Sequence, residues 1–398
     1  MKVSADENIP RVKEVFSQLG EVHTMPGRTI TASDLTDTDI LLVRSVTPVN
    51  ASLLANTPVK FVGSATIGED HIDTHWLQQQ GIAYANAPGS NAQSVAEYVI
   101  TVIFNYCLAF NKDLHDLTVG IIGEGNVGTR LRQILEQLQV KVLVNDPLKA
   151  LCQGKDTKAY VDFKQILQAD ILTFHTPLTV KNAYPTWHKA DDGFLTELTK
   201  NKAEKLIINT ARGAVVDNAA LLQQLSSHSH LQAVLDVWEN EPAINTHLLE
   251  KCFLATPHVA GYSEDGKLAG TDMIYKAACT YFNIPLNSEQ DGSQLIKQIK
   301  PSISLKLNQQ SKQTAFLAVA SLLNEVFPIK EDDKLLRQII YKNEQQQGEY
   351  FDYLRKNYRL RKEFSNYSVE AERLDSVAAT LLANLGFHLK GSPSRPRP

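Results

Sequence analysis

One run of residues indicates the fold of the region around it: Leu117-Thr118-Val119-Gly120-Ile121-Ile122-Gly123-Glu124-Gly125-Asn126-Val127-Gly128. Its first half is apolar and β-branched, which favours a strand, and the residues from Asn126 to Leu138 favour a helix. The first glycine of a Gly-x-Gly-x-x-Gly turn makes the bend, the second lets the backbone approach a pyrophosphate, and the third lets the helix pack on the strand. The stretch therefore predicts a dinucleotide-binding unit. Its cofactor contacts are Gly123, Gly125, Asn126, Val127 and Gly128.

Asp146 follows the next predicted strand, 18 positions after Gly128 (146 − 128). A carboxylate there accepts hydrogen bonds from the adenosine ribose and repels a 2′-phosphate, so the sequence predicts NAD over NADP. Thr176 follows the predicted strand Ile171–His175, at the edge where open α/β sheets bind ligands. The side chain of Glu124, beside an anionic ligand, is expected to point to solvent.

Short β-rich runs alternate with helical stretches from residue 1 to about 260. Several runs are continuously apolar, as is typical of parallel strands covered on both faces. The predicted strands include Leu41–Val43, Lys60–Gly63, Ile82–Asn86, Val119–Ile122, Lys141–Val144, Ile171–His175, Leu206–Asn209 and Ala233–Val237. The predicted class is α/β, with two doubly wound domains (Rossmann-like or flavodoxin-like) and a C-terminal α+β module.

The predicted boundaries follow these patterns. Residues 1–93, completed by 259–285, form a substrate-binding domain, and 94–258 form the NAD-binding domain. Residues 286–390 form the C-terminal module, where Gln and Lys become frequent, and 391–398 are expected to be disordered.

Composition excludes several classes of protein. The chain has 398 residues, 43% of them hydrophobic, and a formal net charge of -4. This balance argues against a nucleic-acid-binding or acidic-membrane surface, and no apolar run reaches the ~20 residues of a membrane span. The four cysteines show neither metal spacing nor disulfide density, so no metal site is expected. The N-terminus begins like a strand rather than a signal peptide, and we expect a cytoplasmic protein.

Three residues downstream of the glycine turn carry a recognisable chemistry: Arg212, Glu241 and His258. A guanidinium can bind a carboxylate through two parallel N–H groups. An imidazole can accept and return a proton near neutrality, and a nearby carboxylate stabilises its protonated form. Glu239 competes with Glu241 for that last role. Together these residue types predict oxidation of a 2-hydroxy acid, whereas His175 is interpreted as structural.

The runs around these residues resemble the D-isomer-specific 2-hydroxyacid dehydrogenase family. The resemblance covers residues 1 to 280, and its runs are Gly123-x-Gly125-x-x-Gly128, Asn209-Thr210-Ala211-Arg212-Gly213, Leu235-Asp236-Val237-Trp238-Glu239-x-Glu241-Pro242 and Thr256-Pro257-His258. The runs Val43–Thr47 and Gly63–Gly68 and the C-terminal module narrow it to a group that oxidises 4-phospho-D-erythronate in pyridoxal 5′-phosphate biosynthesis.

The resemblance also implies site residues and an assembly. It implies NAD contacts at Asp146, Thr176, Asp236 and Gly261. It implies substrate contacts at Ser45, Thr66 and Tyr262. Arg44 is added as a further candidate, and the alternative is that it is a solvated residue at the end of a strand. It implies a homodimer that pairs through the C-terminal modules.

Two other functions stay open. One is a relative that acts on 3-phosphoglycerate, hydroxypyruvate or glycerate, and the other is a non-catalytic NADH-sensing scaffold with the same three residues. The basic cluster Arg355, Lys356, Arg359, Arg361 and Lys362 is interpreted as a solvated helix face. The alternative is that one of its members binds the substrate phosphate in a partner subunit.

Overall fold

The computed structural model describes residues 1–152, 160–286, 303–306, 313–370 and 376–390. The expected disordered tail, 391–398, lies outside these ranges. The chain divides into two compact units. The first unit comprises Met1–Ala92 and Tyr262–Pro301, and the second unit comprises Gln93–Gly261 and Ser302–Pro398.

The first unit is built on a five-stranded parallel sheet with the order β2-β1-β3-β4-β5. Its strands are β1 Lys2–Asp6, β2 Glu21–Met25, β3 Ile40–Val43, β4 Phe61–Ser64 and β5 Ala83–Ala85. Its helices are α1 Val12–Phe16, α2 Ala51–Leu54, α3 Thr74–Gln79 and a long helix over Glu264–Tyr281.

Both faces of this sheet are covered, which explains why its central strands read as unbroken apolar runs. Ile40 and Leu42 of β3 pack in one core cluster, which also contains Ile274 of the long helix. Leu41 and Val43 point to the other face and join a second cluster. Because side chains alternate along a strand, a strand buried on both faces needs apolar residues at every position.

The second unit contains a six-stranded parallel sheet with the order β11-β10-β9-β8-β6-β7. Its strands are β6 Thr118–Ile122, β7 Lys141–Asn145, β8 Ile171–Phe174, β9 Lys205–Asn209, β10 Leu231–Leu235 and β11 Leu254–Ala255. Its helices up to residue 261 are α4 Ala92–Phe110, α5 Asn126–Gln137, α6 Pro147–Cys152, α7 Phe163–Ile166, α8 Asp192–Thr199, α9 Asn218–Ser227 and α10 Thr246–Lys251. The long helix of the first unit, Glu264–Tyr281, is α11. The described part of the chain also contains short 3-10 turns, including one over Gly213–Val215.

Helix α4 lies in the largest core cluster and, among the residues that the structure describes, is the one helix long and apolar enough to cross a membrane. Of its most apolar 18-residue segment, 78% is buried inside the protein. Its apolar side chains are therefore those of a core helix.

The C-terminal residues add a small α+β layer to the second unit. Its helices are α12 Gln313–Val326, α13 Ile329–Arg337, α14 Glu344–Lys356 and α15 Ser376–Asn384, and its parallel sheet has the order β12-β13-β14 over Ile303–Lys306, Tyr367–Glu370 and His388–Lys390. Phe316 of α12 stacks on Phe104 of α4 at 4.6 Å between ring centroids. The predicted α/β class with a C-terminal α+β module is confirmed, whereas the division into three domains stays a prediction.

The interpretation of the basic cluster as solvated is wrong for two of its members. Arg361 is 3% exposed and Lys362 is 9% exposed. Arg361 Nη1 lies 3.2 Å from Glu97 Oε2 of α4, Arg361 also donates to Ser94, and its guanidinium lies over the ring of Phe327. The sequence pattern looks like a solvated helix face because the carboxylate that neutralises Arg361 lies 264 positions away in the chain.

The buried Arg361–Glu97 pair yields a stability prediction. Arg361→Met removes one charge and leaves the other buried, which typically costs about 3–5 kcal/mol in free energy of unfolding. Urea unfolding followed by circular dichroism measures the loss. Lys356→Met, at an exposed position of α14, is the matched control. A loss below about 1 kcal/mol for Arg361→Met would contradict the importance of this pair.

Candidate active site

The glycine turn between β6 and α5 has the geometry that a pyrophosphate needs. Gly123 has φ +92°, a backbone conformation that favours glycine. A Cβ on Gly128 would lie 2.1 Å from the carbonyl oxygen of Gly123, so only glycine lets the helix approach so closely. Gly125 precedes α5 without a side-chain cap, and a Cβ there would meet open space. The first N–H groups of α5 are thus available to an anion.

Asp146 closes this turn from the end of β7. Its Oδ2 accepts a hydrogen bond from the backbone N–H of Glu124 at 2.9 Å, and its Oδ1 accepts one from Lys149 N–H at 3.0 Å. These contacts hold the carboxylate beside the glycine turn, where NAD-binding folds place the adenosine ribose.

The expectation that Glu124 points to solvent is wrong. Glu124 is 5% exposed, and its carboxylate accepts hydrogen bonds from Arg132 Nη1 at 2.9 Å and from the Tyr160 hydroxyl at 2.6 Å. Burial alone would raise the pKa of Glu124, but the hydrogen bonds from Tyr160 and Arg132, with the positive charges of Arg132 and Lys149, lower it overall. Arg132 lies on α5, so this carboxylate fastens the glycine turn to its own helix.

Thr176 and His175 differ in what they offer a ligand. The Thr176 hydroxyl is buried and has no hydrogen-bond partner within the described ranges, and its methyl group faces Gly123. A buried hydroxyl with no partner next to the pyrophosphate turn fits a bound dinucleotide. His175 Nε2 instead forms a hydrogen bond with the Thr173 hydroxyl at 2.9 Å. Burial lowers the pKa of His175 to about 3. These residues and the glycine turn fit NAD.

Asp236 anchors the turn that carries the candidate base. It is 1% exposed, and its Oδ1 accepts hydrogen bonds from Thr256 Oγ1 at 2.6 Å and from the backbone N–H of Val259 at 2.7 Å. Both of its oxygens also lie 3.1 Å from the N–H of Ala260. The backbone N–H of His258 donates to the carbonyl of Asp236 at 2.7 Å. The turn is therefore fixed from strand β10, and Gly261 follows it directly.

His258 contacts Glu241 and not Glu239. Its Nδ1 lies 2.8 Å from Glu241 Oε2, while Glu241 Oε1 accepts the backbone N–H of Trp238 at 2.9 Å. Burial favours a raised pKa for Glu241, but the charge of His258, their hydrogen bond and the Trp238 N–H outweigh it and hold the pKa below its ordinary value. Glu241 therefore stays ionised and fixes one ring nitrogen of His258, which leaves Nε2 for a substrate.

Arg212 is presented by a turn that Asn209 shapes. The side-chain amide of Asn209 donates to the carbonyl of Arg212 at 2.9 Å, and its oxygen accepts the N–H of Ala211 at 3.1 Å. A Cβ on Gly213 would lie 1.9 Å from the carbonyl oxygen of Trp238. The glycine after the arginine thus lets the turn after β9 touch the turn after β10, which brings Arg212 toward Glu241.

Arg212, Glu241 and His258 line one pocket of about 380 Å³ in the second unit. The other lining residues are Leu178, Trp187, Gly213, Ala214, Val237, Trp238, Glu239 and Asn240. The pocket brings together a guanidinium, an imidazole and a carboxylate that orients the imidazole. That is the set of groups needed to bind a carboxylate and to move a proton from a neighbouring hydroxyl.

One residue of this pocket wall, Trp187, belongs to the stretch 179–203, in which the sequence predicts no site residue. Trp187 is half exposed and stacks on His188 at 3.8 Å between ring centroids. His188 Nε2 lies 2.7 Å from Glu239, and its Nδ1 lies 3.4 Å from Asp217. The ligating atoms of these three residues lie within 4.8 Å of one another. Because each ring nitrogen already faces a carboxylate, we interpret the group as a brace for Trp187. The absence of a metal site stays a prediction.

The candidate substrate residues Arg44, Ser45, Thr66 and Tyr262 all lie in the first unit. Arg44 and Ser45 follow β3, and Thr66 follows β4, so three of them lie after neighbouring parallel strands. The Thr66 hydroxyl is 2.8 Å from the hydroxyl of Ser64, and Tyr262 precedes α11.

Comparisons with known proteins agree with this architecture. Residues 102–260 match the family described as D-isomer specific 2-hydroxyacid dehydrogenase, NAD binding domain, and residues 299–386 match a domain family of unknown function. The structure of NAD⁺-bound 3-phosphoglycerate dehydrogenase from Entamoeba histolytica covers 71% of this chain and 95% of its own, with 26% identity and a TM-score of 0.59. D-lactate dehydrogenase from Aquifex aeolicus, at 22% identity and a TM-score of 0.57, shares the fold over 73% of this chain and 97% of its own.

Relatives of nearly full length narrow the group. Erythronate-4-phosphate dehydrogenase of Proteus mirabilis is 44% identical over 98% of this chain and 99% of its own length. The enzyme of the same name from Marinobacter nauticus is 41% identical over 98% of this chain and all of its own. The chain therefore belongs to the D-isomer specific 2-hydroxyacid dehydrogenase family, in the group of the erythronate-4-phosphate dehydrogenases.

Proposed function

We propose that this protein oxidises 4-phospho-D-erythronate to 2-oxo-3-hydroxy-4-phosphobutanoate with NAD⁺, as a step of pyridoxal 5′-phosphate biosynthesis. The observation that carries the proposal is the 2.8 Å contact between His258 and Glu241 in a pocket shared with Arg212. The near full-length relatives supply the identity of the substrate.

In the proposed reaction Arg212 binds the C1 carboxylate of the substrate and orients the C2 hydroxyl toward His258. His258 Nε2 accepts the hydroxyl proton as the C2–H bond breaks, and Glu241 stabilises the imidazolium that forms. The proton then leaves His258 for solvent. Bound NAD⁺ supplies the acceptor for the hydride. General acid–base help of this kind contributes typically ~10²–10⁴-fold to the rate.

The cofactor contacts proposed here follow from the geometry of the glycine turn and the strand ends. Gly123, Gly125, Asn126, Val127 and Gly128 hold the pyrophosphate at the start of α5, and Asp146 binds the adenosine ribose. Thr176, Asp236 and Gly261 complete the set, with the buried Thr176 hydroxyl as a ready hydrogen-bond donor.

The remaining parts of the proposal concern substrate and assembly. Ser45, Thr66, Tyr262 and Arg44 contact the substrate, and a homodimer forms through the C-terminal layer. The enzyme works in the cytoplasm. Point variants test the substrate contacts, and sedimentation of the wild-type protein by analytical ultracentrifugation tests the dimer.

A substrate panel tests the function itself. Purified protein is offered NAD⁺ with 4-phosphoerythronate, 3-phosphoglycerate or D-glycerate, and NADH is followed at 340 nm with a 2-oxo acid as an alternative acceptor. We expect the highest kcat/KM for 4-phosphoerythronate. Preference for either other acid would assign the enzyme to a different substrate of the family. Tight NADH binding without turnover on any acid would favour the NADH-sensing scaffold.

His258→Gln tests the candidate base. We expect kcat to fall by at least ~10²-fold because the hydroxyl proton loses its acceptor. The dissociation constant of NADH, measured by fluorescence titration, is expected to change little. His247→Gln, at an exposed position of α10, is the matched control. A comparable loss of NADH affinity in His258→Gln would argue against a role in proton transfer.

Glu241→Gln tests the orienting carboxylate through kcat. The Glu241 carboxylate lies 2.8 Å from His258 Nδ1, where it holds the ring in place. We therefore expect kcat with 4-phosphoerythronate to fall, while the dissociation constant of NADH changes little. Glu239→Gln should lower kcat less, since Glu239 contacts His188. The opposite pattern would transfer the role to Glu239.

A further inference from the structure

Two cations of the first unit, Arg44 and Lys267, lie near enough to interact electrostatically. Arg44 follows β3, and Lys267 lies in the first turns of α11. Both side chains are partly buried. Burial lowers the pKa of Lys267, and the positive charge of Arg44 lowers it further. Within the described ranges, neither residue forms an ion pair with an Asp or Glu.

The packing of α11 places the segments that carry the two cations at the same edge of the sheet. Strands β3 and β4 are neighbours, with Val43 opposite Ser64, and the N–H of Ala65 donates to the carbonyl of Val43 at 2.9 Å. A Cβ on Gly270 of α11 would lie 3.1 Å from the carbonyl oxygen of Ala65. The start of α11 therefore lies against the segment after β4, next to the segment that carries Arg44.

Hydroxyl groups lie at the same edge of the sheet. The ammonium of Lys267 lies 4.9 Å from the ring centroid of Tyr262. This cation–π contact holds the lysine side chain beside the tyrosine ring. The Thr66 hydroxyl follows β4, hydrogen-bonded to Ser64, and Ser45 follows Arg44 and is exposed. Two cations and several hydroxyls are the donors that a phosphate group prefers.

We propose that Arg44 and Lys267 form the site for the phosphate group of the substrate, with Lys267 as the specificity-determining residue. Two partly buried like charges repel each other, so holding them together without a carboxylate costs stability. A phosphate monoester carries a charge of about −1.5 to −2 near pH 7, which matches the pair. The inference rests on the proposed function for the identity of the ligand that carries the phosphate.

The position in the sheet supports the same assignment. In a sheet with the order 2-1-3-4-5, ligands bind beyond the carboxyl ends of the strands where the strand order reverses, between β1 and β3. Arg44 directly follows β3 at that point.

The C-terminal basic cluster is a weaker candidate for the phosphate site, because two of its five residues already form ion pairs. Arg359 pairs with Asp332 at 2.6 Å, and Arg361 pairs with Glu97.

Kinetics on matched substrates test the proposal. Lys267→Met and Lys267→Arg are assayed with 4-phosphoerythronate and with D-erythronate, which lacks the phosphate. For Lys267→Met we expect KM for 4-phosphoerythronate to rise by about 10- to 100-fold. KM for D-erythronate should change much less than KM for 4-phosphoerythronate, and Lys267→Arg should restore most of the lost affinity. Lys60→Met, at the amino end of β4, is the control.

Two outcomes would overturn the proposal. One is an equal loss on both substrates, which would show a structural effect of Lys267. The other is unchanged KM for 4-phosphoerythronate in Lys267→Met. Melting temperatures of all variants are measured without ligand, and Arg44→Gln serves as the second variant if Lys267→Met does not fold.

A binding measurement separates this inference from the proposed function. Inorganic phosphate is added to wild type and Lys267→Met against chloride at equal ionic strength, and the shift in melting temperature is compared. A shift in wild type that Lys267→Met loses supports the anion site even if 4-phosphoerythronate is not a substrate. Equal shifts, or none in wild type, would overturn it.

Discussion

The buried carboxylate of Asp236 is the constraint on which the chemical site depends. It accepts hydrogen bonds from Thr256, Val259 and Ala260, and through them it fixes the turn that presents His258. The same turn is held from two other sides, because the Tyr98 hydroxyl lies 2.8 Å from Thr256 Oγ1 and the Trp238 indole donates to the Thr256 carbonyl at 3.1 Å. A charged group this deeply buried is stable only when its hydrogen bonds are satisfied, so the turn and the carboxylate stabilise each other.

Buried carboxylates recur through the second unit, and their partners separate their tasks. Glu97 binds Arg361 and the N–H of Phe364 and so ties the C-terminal layer to α4. Glu124 binds Arg132 and Tyr160 and stiffens the glycine turn. Glu241 alone among these faces an imidazole in the pocket. One residue type therefore anchors the C-terminal layer, supports the glycine turn or orients an imidazole, according to the donor that it meets.

Much of the fold is predictable because its signals are local. The sequence predicts the strands β3, β4, β6, β8 and β9 within about one residue, since strands buried on both faces are apolar throughout. It does not predict the short edge strand Glu21–Met25, whose residues are partly exposed and polar. The individual C-terminal strands are not predicted either. Their parallel pairing depends on residues far apart in the chain, with Ile303 opposite Tyr367, and leaves no turn signal between neighbours.

The α/β class, the glycine turn, the family and the candidate residues Arg212, Glu241 and His258 can be read from the sequence, because each is carried by a short run with fixed spacing. Which charged groups meet depends on the tertiary structure. It pairs Glu241 rather than Glu239 with His258, turns Glu124 inward to Arg132 and Tyr160, and buries Arg361 against Glu97. These pairings join residues 8 to 264 positions apart. Electrostatic interactions depend on distance and burial, and sequence spacing does not report either of them.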